Sequence, residues 1–165
     1  MNDEQLLIER FYASFGKRDS KGMLGCYDED ITFYDPVFEN LETGHARAMW
    51  EMVITSVKDL EMSVSDIESE DGYGSCHWVA SYIFPRTGRR VVNRGKAYFK
   101  FSGGKISEHQ DDFNFWKWSS QAFGIPGILL GWSAFLRNKV RKKARKALEK
   151  FMAGAASTVI VPQAK

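Results

Sequence analysis

The chain has 165 residues, of which 44% are hydrophobic and 14% aromatic, so its length and composition predict one domain with a single core. Its polar N-terminus lacks the features of a signal peptide, and no apolar run reaches the roughly 18 residues that a membrane span needs. Cys26 and Cys76 match no metal-ligand spacing and form no disulfide framework, which argues against zinc and favours a reduced, cytoplasmic setting.

The net charge of +2 conceals an uneven distribution of charge. Residues 137–150 carry eight lysines and arginines and one acid, Glu149, whereas the rest of the chain has 15 basic and 20 acidic residues. The body of the protein is therefore acidic, and one segment near the C-terminus is strongly basic.

The first third of the chain predicts three helices around one short strand. Residues 3–16 place Leu7, Phe11 and Phe15 four residues apart and end on a glycine, which is typical of an amphipathic helix. A second, short helix is predicted to begin at Asp19 or Ser20. A strand over residues 31–34 follows and is ended by Pro36.

A loop of nine residues after Asp35-Pro36 is predicted to reach Gly44, which opens a third helix over about residues 45–58. Met49, Trp50, Met52 and Val53 give this helix its buried face. Strands over about residues 61–68, 75–84 and 91–101 then predict an antiparallel meander, since turn residues such as Asp71-Gly72 and Gly103-Gly104 separate them.

The segment from Gly104 to Trp118 is rich in aromatic and β-branched residues and predicts one long final strand. Successive side chains of a strand point to opposite faces. One face should therefore carry Ser107, His109, Asp111, Phe113 and Phe115. His109 and Asp111 would lie roughly 6.5 to 7 Å apart along the strand, so they need not touch, yet they are close enough to act on one small ligand. The alternatives are a solvated face or a structural ion pair between the two.

After Trp118, a glycine-punctuated apolar segment leads into a helix from about Ser133. The apolar stripe of this helix is formed by Leu136, Val140, Ala144, Ala147, Leu148 and Phe151. We predict a domain over residues 1–118, a helical extension over 119–152 packed on it, and a tail over 153–165.

The basic helix has three interpretations. It could lie on an anionic membrane surface, bind nucleic acid through phosphates, or dock its stripe on the domain with its charges in water. We favour docking, because the stripe is rich in alanine, which suits close packing better than insertion into lipid. No base-reading motif supports nucleic acid.

Two motifs carry a resemblance to a known family. The first runs from Asp28 to Val37 (Asp-Glu-Asp-Ile-Thr-Phe-Tyr-Asp-Pro-Val) and is followed by Gly44; the second is Gly-Lys-Ile-Ser-Glu-His-Gln-Asp, ending at Asp111. Together with the element order, they resemble the nuclear-transport-factor-2-like superfamily, which includes ketosteroid isomerase and the SnoaL-like polyketide cyclases. The resemblance covers about residues 3–118 and does not extend to the basic helix.

The resemblance implies an α+β cone, in which a curved, mostly antiparallel sheet wraps around the three N-terminal helices and forms a pocket. It implies that Asp111 is the main acid or base, that His109 is its partner, and that Asp35 is a second base or a group that orients the ligand. An aspartate before proline is also a common turn residue, so capping remains the alternative for Asp35. We predict that the pocket is lined by Phe113, Trp50, Phe33, Tyr82 and Phe11.

One departure from the isomerase is informative. Its two oxyanion donors correspond by position to Phe11 and Ala97, which cannot donate a hydrogen bond. Because one such donor contributes roughly 3 kcal/mol or more, steroid isomerisation by that mechanism is not expected. Tyr12 or Tyr98 could replace the lost phenol only by facing the other way.

Two functions follow as hypotheses. The first is a cyclase-, isomerase- or dehydratase-like enzyme that moves protons on a small apolar carbonyl or hydroxy compound and requires no metal or organic cofactor. The second is a non-catalytic binding protein for an apolar ligand, or a dimeric interaction module, on the same scaffold. We expect a homodimer and no nucleic-acid partner. The basic helix is expected to cover either the pocket mouth or a dimer surface.

Overall fold

The computed structural model describes residues 1–160, and the side chains of residues 1–155. The elements are α1 (Asp3–Gly16), α2 (Ser20–Leu24), β1 (Tyr27–Asp35), β2 (Glu39–Glu42), α3 (Thr43–Ser56), β3 (Lys58–Glu70), β4 (Tyr73–Ile83), β5 (Arg90–Ser102), β6 (Lys105–Phe113), α4 (Phe115–Phe123), α5 (Ile125–Leu130) and α6 (Ala134–Ile160).

The strands of the described residues form one mixed sheet of six strands in the order β2-β1-β6-β5-β4-β3. Only β1 and β6 pair in parallel; all other neighbours are antiparallel. Register shifts in β1 and β3 interrupt the ladders, and such irregularities bend a sheet. The predicted α+β cone with a mostly antiparallel, curved sheet is confirmed.

The concave face of the sheet is filled by α1 and α3. Asn2 and Gln5 form a reciprocal capping box that starts α1, and this helix buries Ile8, Phe11 and Phe15. Helix α3 adds a second apolar face, whose buried members include Met49 and Trp50. These side chains meet the inward-facing residues of β1, β4, β5 and β6 in one aromatic-rich core.

The final strand is shorter than predicted. It ends at Phe113, because the Asn114 side chain accepts a hydrogen bond from the Lys117 backbone N–H and starts α4. Trp116 and Trp118 therefore lie on a helix, and Phe115 does not continue the face of β6. The predicted loop after Pro36 was also wrong in part, since it contains β2, which pairs with β1.

Helix α6 packs its apolar stripe on the domain, as predicted. Leu136, Val140 and Leu148 are buried, and Leu148 joins the main core. The Arg141 Nε donates to the Pro36 carbonyl at 3.0 Å, and an Arg145 N–H donates to the Phe38 carbonyl at 3.0 Å. These contacts fix α6 across the open end of the cone.

Helix α6 also continues to Ile160, so residues 153–160, which the sequence assigned to a tail, are helical. The remainder of the predicted tail, residues 161–165, lies outside the described residues. The division of the chain into a domain and an extension stays a prediction. Across residues 1–160, we find no helix with the length and apolar character to cross a bilayer.

The anchoring of α6 can be tested by truncating its buried leucine. We expect Leu148→Ala to lower the free energy of unfolding by about 2 to 5 kcal/mol, because the site loses apolar contacts and gains a cavity. Urea denaturation measures the effect. Leu129→Ala is the matched control: this leucine is 62% exposed, so its loss should change stability by less than about 0.5 kcal/mol. Equal effects of the two substitutions would show that α6 is not anchored in the core.

Candidate active site

A cavity of about 700 Å³ lies between the concave side of the sheet, α1, α3, α4 and α6. Its walls are largely aromatic and aliphatic, and two carboxyl groups, those of Asp35 and Asp111, line it. Val140, Ala144 and Ala147 of α6 form part of the lining. Of the two predicted positions for the C-terminal helix, the pocket mouth is therefore the one that the structure shows.

Asp111 is buried, and one of its oxygens is held by two N–H donors. Trp78 Nε1 lies 3.0 Å and His109 Nε2 lies 3.1 Å from Asp111 Oδ1. A carboxylate that accepts such hydrogen bonds is stabilised in its ionised form. No residue within the described chain makes a hydrogen bond to Oδ2, so this oxygen is available to a ligand in the cavity.

The tautomer of His109 follows from the hydrogen bonds around it. Trp50 Nε1 donates to the Tyr27 hydroxyl at 2.8 Å, and that hydroxyl lies 2.8 Å from His109 Nδ1. Burial raises the pKa of Tyr27 well above its usual value, so the phenol keeps its proton and donates it to Nδ1. His109 Nε2 must then carry the hydrogen that is donated to Asp111. All donors and acceptors are satisfied with a neutral imidazole.

His109 does not reach the cavity. Its side chain is 0% exposed and is enclosed by aromatic rings, with ring centroids of Phe11, Phe33 and Phe99 at 5.2, 5.2 and 4.6 Å. It lies behind Asp111 and holds that carboxylate. Of the two arrangements expected from the sequence, separate side chains or a direct contact, the structure shows the contact.

Gly95 makes room for the indole that binds Asp111. Trp78 on β4 pairs with Gly95 on β5, and its ring lies across that residue toward Asp111 on β6. A Cβ atom at position 95 would overlap the indole and would lie 2.7 Å from the Asp112 carbonyl oxygen. Only glycine therefore allows the tryptophan to cross the strand.

Asp35 lies at the end of β1, beside the second carboxylate. In the parallel register of β1 and β6, Tyr34 pairs with Gln110, so the next residues of the two strands are Asp35 and Asp111. Asp35 Oδ1 accepts hydrogen bonds from the backbone N–H groups of Val37 (2.8 Å) and Phe38 (2.6 Å). The predicted turn-capping role is real, and the same side chain also lines the cavity.

The pocket changes the ionisation of Asp35. Burial among apolar walls is the largest cause and raises the pKa of Asp35 to about 7 from an ordinary value of 3.8. The charge of Asp111 raises the pKa further, while the two backbone N–H donors and Arg141 oppose the increase. Near neutral pH, Asp35 can therefore both donate and accept a proton.

Two polar groups of the cavity were not predicted as catalytic. Trp118 Nε1 donates to the Tyr82 hydroxyl at 2.9 Å, which leaves the hydroxyl hydrogen of Tyr82 free to donate. Asn93 is only 7% exposed, lines the cavity, and has no side-chain hydrogen bond to a described residue. Alternation along β5 from the apolar Val91 could have placed Asn93 on the inner face.

The structure brings three of the five residues predicted to line a pocket to this cavity. Phe113, Trp50 and Tyr82 line the cavity, whereas Phe11 and Phe33 are buried behind it against His109. They were misplaced because burial in the core and exposure to an apolar pocket favour the same residue types.

The lost oxyanion donors are not replaced by the two tyrosines considered from the sequence. Tyr12 faces inward, but its hydroxyl is covered and has no oxygen or nitrogen partner in the described structure; the Cys76 thiol is a weak one. Tyr98 is exposed.

The mouth of the cavity is basic. Lys143, Lys146 and Lys150 of α6 and Arg86 line it, and none of these has an ion-pair partner among the described residues. Within residues 1–160, no group of three His, Cys, Asp or Glu side chains could hold a metal ion.

Comparison with known proteins identifies the family. The sequence model of the SnoaL-like domain matches residues 8–109, more than half of the chain. The chain belongs to the SnoaL-like family. No curated protein sequence is similar to it at a significant level.

Solved structures share the fold of this SnoaL-like chain. TsrD from Streptomyces laurentii is 20% identical to this chain, with a TM-score of 0.64. The alignment covers 74% of this chain and 96% of TsrD. A proposed polyketide cyclase from Xanthomonas campestris is 19% identical (TM-score 0.62; 73% and 96% covered). A ketosteroid isomerase-like protein from Catenulispora acidiphila, bound to trimethylamine, is 10% identical (TM-score 0.65; 77% and 96% covered). Roughly a quarter of the SnoaL-like chain thus has no counterpart in these proteins.

The role of Gly95 gives a first prediction for the site. We expect Gly95→Ala to lower the free energy of unfolding by about 1 to 3 kcal/mol and to change the near-ultraviolet circular dichroism, because Trp78 must move away from Asp111. Gly44→Ala is the control. Gly44 lies in helix α3, and a methyl group added there would meet no atom within 4 Å. An unchanged tryptophan signal in Gly95→Ala would contradict the proposed packing.

The raised pKa of Asp35 gives a second prediction, for stability against pH. Its folded-state pKa exceeds its unfolded value, so the wild type loses stability as the pH rises from about 4 through about 7. Asp35→Asn cannot ionise. The free energy of unfolding of Asp35→Asn minus that of the wild type should therefore increase between about pH 4 and pH 7, by on the order of 2 kcal/mol. This magnitude allows for screening by water in the cavity. Urea denaturation at pH 4, 5.5, 7 and 8 measures it, and a difference that does not vary with pH would count against a raised pKa.

Proposed function

We propose that this SnoaL-like protein catalyses proton transfer on a small, mostly apolar carbonyl or hydroxy compound, as an isomerase, cyclase or dehydratase. Asp111 is the main base, Asp35 is the second acid or base, and His109 positions Asp111 without touching the substrate. The observation that carries the proposal is that two carboxyl groups line one apolar cavity, of which Asp111 is held by two N–H donors and Asp35 has a raised pKa.

Different environments suit the two carboxyls to opposite tasks. Two N–H donors hold Oδ1 of Asp111, and its Oδ2 has no hydrogen bond to a described residue, so this oxygen can accept a proton from a ligand. Asp35 has a pKa of about 7 and carries a proton for part of the time at neutral pH, so it can donate one. A pair of titratable groups that differ in this way is a recurrent arrangement in acid–base enzymes.

The simplest step is enolisation. The Asp111 carboxylate removes a proton from the carbon next to a carbonyl, and the electron pair of that C–H bond forms the carbon–carbon double bond of an enol. The protonated Asp35 gives its proton to the carbonyl oxygen and becomes the carboxylate. If the substrate has a β,γ double bond, the enol is a dienol: Asp111 returns its proton to the γ carbon while the Asp35 carboxylate takes back the enol O–H proton, which completes an isomerisation. In a cyclisation, the enol carbon attacks a second carbonyl, Asp35 takes back the enol O–H proton, and Asp111 gives its proton to the new alkoxide. Each positioned acid or base contributes a factor of about 10² to 10⁴.

Donors for the developing oxyanion are also present. The Tyr82 hydroxyl, whose oxygen is held by Trp118, and the Asn93 amide both line the cavity. They offer N–H and O–H groups in place of those lost at the positions of Phe11 and Ala97. The site therefore differs from that of ketosteroid isomerase in the residues that would stabilise charge.

Relatives support the reaction class. One structure with the same fold is a proposed polyketide cyclase, and another has a ketosteroid isomerase-like fold. The first name is that of a cyclase and the second describes a fold, and a shared fold alone does not determine the chemistry.

The test begins with ligands and ends with a direct measure of proton transfer. Small ketones, phenolic polyketides, terpenoid epoxides and steroids are screened by thermal shift; a ligand at 100 times its Kd stabilises by about 2.7 kcal/mol. Ketones that bind are then incubated in D₂O, and loss of the α-proton signal is followed by NMR. We expect Asp111→Asn to slow this exchange by about 10² to 10⁴ with binding retained.

Asp112→Asn is the matched control, because Asp112 is the adjacent carboxylate on the exposed face of β6. It should exchange the α-proton at the wild-type rate. If ligands bind but wild type and Asp111→Asn exchange protons equally slowly, the protein is a non-catalytic binding protein, and the proposal is wrong.

A further inference from the structure

Helix α5 has its apolar side chains on the outside. Its glycine Gly127 and the following Gly131 are buried against α4, where an added Cβ atom would overlap Ser119 and neighbouring atoms. Since the small residues face inward, the large ones must face outward. The reverse arrangement is normal for a helix on the surface of a water-soluble domain.

As a result, the segment of residues 125–135 exposes six large apolar side chains. Leu129 is 62%, Trp132 71% and Phe135 69% exposed. Further exposed members of the same segment are Ile125, Ile128 and Leu130. Contiguous apolar exposure of this kind marks a contact site for a protein or a membrane.

The indole N–H of Trp132 is already hydrogen-bonded within its own segment. Its Nε1 donates to the Leu129 carbonyl at 2.8 Å, and Trp116 Nε1 donates to the Ile128 carbonyl at 3.1 Å. Because these N–H groups are already satisfied within the segment, moving the rings out of water leaves no unpaired donor.

Positive charge surrounds this apolar surface. Residues 113–148 contain eight lysines and arginines and no aspartate or glutamate. On α6, Lys139, Lys142 and Lys146 follow Phe135 at intervals of four, seven and eleven residues, which places them on the same, outer side of the helix. All three are exposed and have no ion-pair partner among the described residues.

We propose that this face docks on the surface of an anionic lipid bilayer. The docking surface consists of Ile125, Ile128, Leu129, Trp132 and Phe135, which enter the interface, and Lys139, Lys142 and Lys146, which lie over lipid phosphates. Apolar insertion and attraction to anionic headgroups are the two contributions that hold an interfacial helix on a membrane.

Charge complementarity selects the bilayer over a second copy of the chain. Two docking surfaces facing each other would bring the lysines of both copies together, and like charges in an interface oppose association. Among the described residues, the one acid that lines the same groove as Phe135, Lys139 and Lys142 is Glu39, which is already paired with Arg141. Nucleic acid would satisfy the cations but not the apolar residues. An anionic bilayer satisfies both.

Docking has a consequence for the cavity. Lys146 belongs to the docking surface and also lines the pocket, together with Lys143 and Lys150. On the membrane, the entrance would lie beside the headgroups, so an apolar ligand could pass between bilayer and cavity. Membrane docking itself does not depend on the proposed catalytic function and can be tested without a substrate.

The experiment is co-sedimentation of the full chain with vesicles. We expect binding to vesicles of phosphatidylcholine with 30% phosphatidylglycerol, weaker binding to phosphatidylcholine alone, and a decrease with added salt. Lys139→Gln with Lys142→Gln should weaken partitioning by about tenfold or more, because each basic residue near an anionic surface contributes a factor of about five. Leu129→Ser with Trp132→Ser should weaken it similarly.

Matched controls separate the surface from general charge and hydrophobicity. Lys17→Gln with Lys21→Gln removes two exposed cations elsewhere, and Tyr73→Ser removes an exposed ring at the far turn of the sheet. Both should bind as the wild type does. Brominated lipids should quench tryptophan fluorescence in the wild type and markedly less in Trp132→Phe, which reports insertion at this residue.

Three outcomes would overturn the proposal. One is the absence of binding to anionic vesicles. A second is binding that the docking-surface variants and the controls reduce equally, or that leaves Trp132 unquenched. The third is a dimer in light scattering that Leu129→Ser with Trp132→Ser converts to monomer, which would assign the apolar face to a second copy.

Discussion

The pair of N–H groups that holds the Asp111 carboxylate is the interaction on which the pocket depends. A carboxylate among aromatic rings is costly unless it is hydrogen-bonded, and here Trp78 and His109 supply the bonds. Each donor has its own requirement: Trp78 needs a glycine beneath its ring, and His109 needs the Tyr27 hydroxyl to fix its tautomer. Residues on four strands, β1, β4, β5 and β6, and Trp50 on α3 thereby contribute to holding one oxygen atom.

The same apolar walls that require those donors raise the proton affinity of the neighbouring carboxyl. Asp35 lacks a side-chain cation at hydrogen-bonding distance and keeps only two backbone donors on one oxygen, so burial dominates its pKa. This arrangement destabilises the folded protein above neutral pH. Such a loss of folding stability is typical of functional sites. An aspartate that only capped a turn would destabilise the fold less if its carboxyl faced water.

Much of the fold and part of the site could be predicted from the sequence. The period of two along β6 placed Asp111 on the inner face, and the Asp-Pro motif placed Asp35 at a strand end. The end of β6 was missed because Asn114 acts as a helix cap, a local hydrogen bond that aromatic content does not reveal. The alternation of side chains along β6 also does not reveal how deeply each one is buried. His109 and Asp111 share a face, yet only Asp111 reaches the cavity. The outward apolar side of α5 depends on which side packs on α4, and composition does not specify that.

Titration of the aspartate side-chain carboxyls by ¹³C NMR measures the pKa of Asp35 in the folded protein. We expect one carboxyl resonance that titrates near pH 7, disappears in Asp35→Asn, and titrates at lower pH in Asp111→Asn, because the charge of Asp111 raises the pKa of Asp35. If no aspartate of the folded protein titrates above about pH 5, the pKa of Asp35 is not raised, and the proposed acid–base pair is wrong.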